Sequence, residues 1–258
     1  MVRKVQKSER DASNLERLRV VQPIFNHEQP QSYRDKVVLK PWGHEFLIFE
    51  NEHVAIWFLH IKEEFATSMH CHPSKRTSLI LLSGRAFCNT LNHRIFMDCL
   101  DAAVFEKGVF HSTKALSSEG IDLIEVETPP QKTDLVRLND GYGRQAFGYE
   151  GLSEMRKSDL ERFGYFHLEE PDSTVPEQRI EKRYGMRVER YMDTSDYQAR
   201  FKPKVGEIYC PCRGSILDDA GIELIELGEA RNAMEMPDPA QCRLSGSLTL
   251  ISTYRCQE

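Results

Sequence analysis

Between Lys36 and Pro129 the chain breaks into short apolar or alternating runs, "EFLIFEN", "VAIWFLHIK", "SLILLSG", "RAFCNTLNH", "AAVFEKG" and "GIDLIEVETPP", separated by turn-like clusters. Successive side chains of a strand point to opposite faces, so runs this short suit strands that bury one face better than helices. Repeated at close intervals, they predict a small all-β sandwich or barrel. The region has neither a glycine-rich phosphate loop nor a βαβ rhythm. A mainly β fold is expected.

The flanks differ in texture. Residues 1–35 are polar and read as an N-terminal arm, in which "NLERLRVVQPIF" suits a short helix or a segment lying on the body. The barrel domain is expected over 36–140. The stretch "NDGYGRQAFGYEGLSEMRKSDLERF" holds too many aromatic residues for a free linker and predicts a short helix from Ser153 to Phe163. Residues 141–258 are read as this connector followed by a second β-rich domain. "GIDLIEV" at Gly120 is echoed by "GIELIEL" at Gly221. Two readings stay open: a duplication, giving two barrels of which the second is degenerate, or a chance likeness between two alternating strands.

Forty acidic against 34 basic side chains give a net charge of −6, which offers no general reason to bind nucleic acid. The N-terminus lacks the apolar core of a secretory signal, and no window reaches the length of an apolar membrane span. A soluble, cytoplasmic protein with neither a nucleic-acid nor a membrane partner is expected. The seven cysteines are odd in number and lack the dense spacing of a disulfide scaffold, so reduced thiols are expected. Cys210 and Cys212 form Cys-x-Cys, which is neither a zinc ribbon nor a Cys-x-x-Cys redox pair.

The chemistry concentrates in "HCHPSKRTSLILLSG". On a strand His70 and His72 project from one face while Cys71 points to the other. Their Cα atoms then lie roughly 6 to 7 Å apart, and two imidazoles can converge on one ion at the ~2.1 Å length of a Zn–N bond. A third ligand must come from elsewhere, among His44, His53, His60, His93 and His111. His111 is the most persuasive, because Gly108 in "FEKGVFH" can supply a tight turn before a strand that carries the histidine inward.

These residues resemble the cupin superfamily. Its first motif is His-x-His, four spacers, Glu, six spacers, Gly, and the spacing fits from His70 through Thr77 to Gly84. "FEKGVFHSTKA" resembles the second motif, Pro-x-Gly-x-x-His followed after three spacers by Asn. The resemblance implies a double-stranded β-helix, or jelly-roll barrel, with His70, His72 and His111 as metal ligands. Thr77 stands where the family has glutamate, and Glu106 and Ala115 replace the proline and asparagine of the second motif. Three neutral ligands would leave a divalent ion (Zn, Fe, Mn or Ni) its full charge and favour an anionic chelating substrate. Thr77 could then hold a bound water. The missing carboxylate equally suits a barrel that has lost its metal.

"LKPWGHE" is similar to the segment that opens the cupin region of mannose-6-phosphate isomerase and mannose-1-phosphate guanylyltransferase type proteins. It makes Lys40, Trp42 and His44 candidate substrate contacts, joined by Lys75 and Arg76 on the loop after the histidine pair. "ETPPQKTDLVRLNDGYGR" resembles the tail of cupins of cell-surface polysaccharide and sugar-nucleotide metabolism, in which Tyr142 and Arg144 could close over a ligand. The function implied is an isomerase or epimerase acting on a phosphorylated or nucleotide-linked sugar, with Glu45, Glu64 and Glu106 as candidate bases. A three-histidine Fe(II) dioxygenase and a non-catalytic sugar-binding or regulatory barrel are the alternatives. A homodimer is expected, since such barrels often pair through sheet edges.

Overall fold

The structure, a computed structural model, describes residues 1–21, 27–172, 176–181 and 183–256. In chain order the first strands are β1 (Val2–Val5), β2 (Val37–Lys40), β3 (Gly43–Glu50), β4 (Ala55–Ile61), β5 (Met69–Cys71), β6 (Arg76–Ser83), β7 (Ala86–Thr90), β8 (Arg94–Met97), β9 (Ala102–Phe105), β10 (His111–Ala115), β11 (Ile121–Thr128), β12 (Val136–Asn139) and β13 (Met155–Arg156). They form an eight-stranded sheet, β1-β9-β6-β11-β4-β3-β2-β13, and a five-stranded sheet, β12-β5-β10-β7-β8. From β4 to β11 the chain passes back and forth between them, with β5, β7, β8 and β10 in the smaller sheet and β6 and β9 in the larger. This crossing between two facing antiparallel sheets is the double-stranded β-helix, a jelly-roll barrel.

Alternation explains the packing. Leu47, Trp57, Leu59, Leu79, Leu81 and Leu123 of the larger sheet meet Ala86, Cys88, Ile95 and Met97 of the smaller one inside the barrel. Their neighbours Phe46, Ile56, Phe58, Ile80, Leu82 and Ile124 are also buried, on the outer face. A strand buried on both faces needs apolar residues at every position, hence runs such as "SLILL".

The N-terminal segment belongs to the barrel. β1 adds to the larger sheet parallel to β9, Val2 opposite Ala102. Helix α1 (Glu9–Val21) packs Leu15 and Leu18 against Cys71 and Phe110. Ser8 and Asp11 bond reciprocally at its start, as in a capping box. Asp11 Oδ1 also accepts the Phe110 N–H at 3.0 Å, next to His111. Of "NLERLRVVQPIF", the first eight residues lie in α1; Gln22–Phe25 fall outside the described residues.

The helix expected from Ser153 to Phe163 is replaced by two short 3-10 turns, Leu152–Glu154 and Leu160–Phe163, on either side of β13. Asp159 takes a left-handed φ of 53°, through which an α-helix cannot continue, and β13 pairs with β2 instead.

The remaining strands are β14 (Glu177–Ile180), β15 (Tyr184–Tyr191), β16 (Glu207–Arg213), β17 (Ile216–Leu217), β18 (Glu223–Ile225), β19 (Arg231–Asn232), β20 (Arg243–Leu244) and β21 (Leu248–Arg255). Their five-stranded sheet packs Met186, Val188, Ile208, Cys210 and Ile251 onto the outer face of the larger barrel sheet. Its order β19-β16-β21-β15 runs as β9-β6-β11-β4 does in the first half, and the three-stranded sheet β20-β17-β18 runs as β10-β7-β8 does. By this order the counterpart of β11 is β21. The echo at Gly221 falls instead on edge strand β18, where Leu224 is 36% exposed, so that likeness pairs two strands in unlike places. Among the described residues no helix is long and apolar enough to cross a membrane.

Candidate metal centre

His70 lies on β5, His72 immediately follows it, and His111 opens β10 directly opposite His70. Gly108 supplies the turn before β10, with φ 78° and its N–H donated to the His72 carbonyl at 2.8 Å. One nitrogen from each of the three rings falls within 4.8 Å of the others. Phe105 of β9 stacks on His111 with ring centroids 4.4 Å apart, fixing that ring from behind.

The hydrogen bonds set the tautomers. Nδ1 of His70 donates to the Ser68 carbonyl at 2.8 Å, Nδ1 of His72 to Asp134 at 2.6 Å, and Nδ1 of His111 to Val109 at 3.0 Å. A ring whose Nδ1–H is committed to a carbonyl presents an Nε2 lone pair, the arrangement that orients metal-binding histidines. His72 Nε2 is fully buried with no hydrogen-bond partner, the Glu125 carboxylate standing 3.6 Å from it. Burial, aided by the neighbouring rings, pushes the His111 imidazole down to about 4 and His70 well below its ordinary value, so both stay neutral. The residues present fit a divalent ion, held through three imidazole nitrogens.

The histidines open into a cavity of about 60 Å³ whose walls carry charge. Lys75 Nζ lies 2.7 Å from Glu127, and Lys132 Nζ lies 3.1 Å from Glu45, 3.2 Å from Glu127 and 3.8 Å from Glu125. Lys40 pairs with Glu150 and lies 3.3 Å from Glu45, which also accepts the Tyr149 hydroxyl. Arg137 lies 3.6 Å from Glu150, while Arg144 pairs with Glu150 and with Asp140. Burial pushes the Glu125 carboxyl up, but Lys132, His72 and Lys75 outweigh it and hold the group well below the ordinary carboxylate range. For Lys132 burial acts downward, and Glu127, Glu45 and Glu125 outweigh it, so the ammonium is held above its ordinary value. Five lining cations (Lys40, Lys75, Lys132, Arg137, Arg144) face the lining carboxylates Glu45, Glu125 and Glu127, and Asp140 and Glu150 behind the wall bring the carboxylates to five.

Of the residues singled out in the sequence, His70, His72 and His111 meet, and Lys40, Trp42, Glu45, Lys75 and Arg144 line the same cavity. Lys75 is 1% exposed, not a solvated loop lysine. Thr77 is buried between Phe105 and Glu127 on the neighbouring strands, and its Oγ1 has no hydrogen-bond partner. Five candidates lie elsewhere. The side chain of His44 points to the outer face of the larger sheet, because Glu45 takes the inward position, and it packs against Phe163. Arg76, next to the inward Lys75, reaches the second half at Glu226 and also holds Glu106 at 3.2 Å. Glu64 is exposed on a turn and pairs with Lys114 at 2.7 Å. Tyr142 donates to the Ala66 carbonyl at 2.8 Å and stacks on Phe65.

Sequence reasoning missed Glu125, Glu127, Lys132, Arg137, Tyr149 and Glu150. The two glutamates had a signal: in "IDLIEVE" the inward series Ile121, Leu123 continues as Glu125, Glu127, and two acids on a core-facing stripe must be paired. Lys132 to Glu150 lie in the polar connector, where nothing local marks a residue as inward-facing.

The chain is thus a double-stranded β-helix whose three inward histidines could hold a metal ion. No protein-family model matches the chain, nor does any curated protein. Solved structures similar to it include KdgF from Halomonas sp., at 12% identity over 40% of this chain and 95% of that chain, TM-score 0.36. An uncharacterized conserved protein with a double-stranded β-helix domain from Klebsiella pneumoniae matches at 16% identity over 39% and 83%, TM-score 0.32. The DMSP lyase DddQ from Ruegeria pomeroyi matches at 14% identity over 36% and 50%, TM-score 0.34.

Proposed function

We propose that the protein is a divalent-metal-dependent enzyme that moves a proton next to a carbonyl in a small anionic substrate, as an isomerase or epimerase of a sugar derivative does. The observation that carries this reading is the placement of Glu45 on the same cavity as the three Nε2 atoms, with Tyr149, Lys40 and Lys132 holding its carboxylate. Charge balance supports an anionic substrate: Glu45, Glu125 and Glu127 of the wall, with Glu150 and Asp140 behind it, match its five cations, and His70 and His111 are held neutral, so an ion would bring two uncompensated positive charges. A cavity of about 60 Å³ suits the reacting end of such a molecule rather than a whole nucleotide-linked sugar.

When bound, the ion supplies Lewis-acid polarisation of a substrate oxygen. Lys40 and Arg144 orient the anionic end, and Trp42 and Leu59 wall the site from water. In an isomerisation Glu45 takes the proton from the hydroxyl-bearing carbon beside the carbonyl and returns it to the former carbonyl carbon, while the hydroxyl proton passes to the former carbonyl oxygen; in an epimerisation the proton is returned to the opposite face of the same carbon. Burial, with Glu45 beside it, raises the Tyr149 hydroxyl well above its ordinary value, so it stays a hydrogen-bond donor throughout. The all-nitrogen donor set, with Thr77 in place of a carboxylate, favours a second reading as an Fe(II) dioxygenase.

The test follows carbon-bound protons by NMR. Untagged protein, assayed for metal alongside His111→Ala, is incubated anaerobically in D₂O with a panel of sugar phosphates. Deuterium entering beside the carbonyl, dependent on metal, supports proton transfer. Turnover only with Fe(II) and oxygen moves the assignment to the dioxygenase, and ligand binding that survives chelation without turnover moves it to a binding barrel.

A further inference from the structure

A cleft of about 550 Å³ lies on the opposite face of the strands that wall the metal cavity, between the first half and the second. Residues alternate between the two: Glu45, Leu59 and Leu123 face the metal cavity, and their neighbours His44, His60 and Asp122 face the cleft. Its volume is in the range of small-molecule sites, which combine an apolar or aromatic lining with a few converging polar groups.

The polar groups are built rather than scattered. His60 Nδ1 donates to Asp122 Oδ1 at 2.8 Å, and Ser83 Oγ donates to Asp122 Oδ2 at 3.0 Å. Asp122 is thereby fixed and holds His60 in the tautomer whose Nε2 accepts a proton donor. Gly120 borders this atom, and a Cβ there would stand 3.3 Å from Nε2 and 2.4 Å from the Ile61 carbonyl. The His44 ring stacks on His60 at 5.3 Å and meets Phe163 edge-on at 5.1 Å, while Tyr184 and Phe58 stack at 6.5 Å. Burial, with His60 beside it, lowers His44 to about 4, so it acts as a neutral flat surface. Among the described residues of the cleft, Glu119, Glu181 and Asp122 outnumber the one cation, Arg183.

We propose that this cleft binds a flat, nitrogen-bearing aromatic molecule, uncharged or cationic, that donates a ring N–H to His60 Nε2 and stacks on the His44–Phe163–Tyr184 wall. Aromatic faces give affinity for flat rings, the acceptor selects those with an N–H donor, and the carboxylates disfavour anions. The proposal does not depend on the metal centre.

The experiment titrates the full chain with adenine, reading saturation-transfer NMR and calorimetry, with benzoate as a flat anionic control. His60→Phe keeps a ring but removes the acceptor, and Phe163→Ala removes a wall residue outside the barrel core. Saturable adenine binding with Kd below about 1 mM, weakened about tenfold or more in both variants and absent for benzoate, is expected. Metal content should not change in either variant. If His60→Phe fails to fold, Phe163→Ala alone decides. The proposal is overturned if adenine does not saturate at millimolar concentration, if benzoate binds equally well, or if the folded variants bind adenine as the parent does.

Discussion

Replacing Glu127 by glutamine keeps the shape of the side chain and removes its charge beneath the metal cavity. Lys75 and Glu127 are each 1% exposed at 2.7 Å, and Glu127 is the only carboxylate within ion-pair distance of Lys75 among the described residues. The variant therefore strands a buried ammonium, and breaking such a pair from one side costs about 3–5 kcal/mol. The reverse deletion is milder: in Lys75→Met, Glu127 keeps Lys132 at 3.2 Å, so about 1–3 kcal/mol is expected. In Lys75→Met/Glu127→Gln neither charge is stranded, and Lys132 retains Glu45, so the double variant should be more stable than Glu127→Gln alone. Urea unfolding at pH 7, with a slope of about 3 kcal/mol/M, should show the Glu127→Gln midpoint lowered by about 1–1.7 M and a coupling of about 2 kcal/mol across the cycle. A Glu127→Gln loss under about 1 kcal/mol, or strictly additive variants, would refute the reading of the wall as mutually neutralised buried charge.

Further outcomes follow from other parts of the molecule. Glu45→Gln should lower turnover by about 100-fold or more while the bound metal, measured by elemental analysis, stays at the parental level. His44 is pushed down to about 4, below the ~6.5 of an unfolded chain, so the unfolded state takes up the proton first. Its contribution is present above pH 6.5 and lost as pH falls towards 4, by up to about 3 kcal/mol; unfolding midpoints across this window should fall less steeply in His44→Gln. Gly228 has φ 72°, and a Cβ there would stand 1.7 Å from Thr128 Oγ1, while its carbonyl accepts Ser78 Oγ at 2.6 Å. Gly228→Ala should therefore cost about 1–3 kcal/mol, and a melting temperature equal to the parent's would show that this contact between the halves is slack.

The barrel was legible because strands announce themselves locally. "SLILLSG" and "GIDLIEV" carry their short apolar runs within eight residues, and His70 and His72 share a face by period alone. His111 could be paired with them through the turn residue Gly108, whose positive φ is a local property. The charged wall was not legible, because Lys132, Arg137 and Tyr149 become inward-facing only when the connector folds back over the cavity. The likeness between the two heptads did not locate equivalent strands. A similar heptad drew attention to Gly221, yet strand order matches β11 with β21, whose "LTLISTYR" shares only its apolar alternation. Alternating strands resemble one another by composition, so sequence likeness between two of them says little about equivalent positions. His44 misled for a related reason: one residue's shift along a strand moves a side chain to the other side of the sheet.

The connector also decides where the working unit ends. A barrel excised after the double proline at Pro129 and Pro130 would keep all three histidines and the two family-like motifs. It would lose Lys132, Arg137, Arg144, Tyr149 and Glu150, and the Asp134 carbonyl and carboxylate that anchor His72 and the loop at Ser74 and Lys75. Such a fragment would carry the ligands of a metal without the counter-charges that make the chamber habitable for Glu125 and Glu127. The smallest piece expected to behave as the whole site runs to β13, where Met155 closes the larger sheet against Val38.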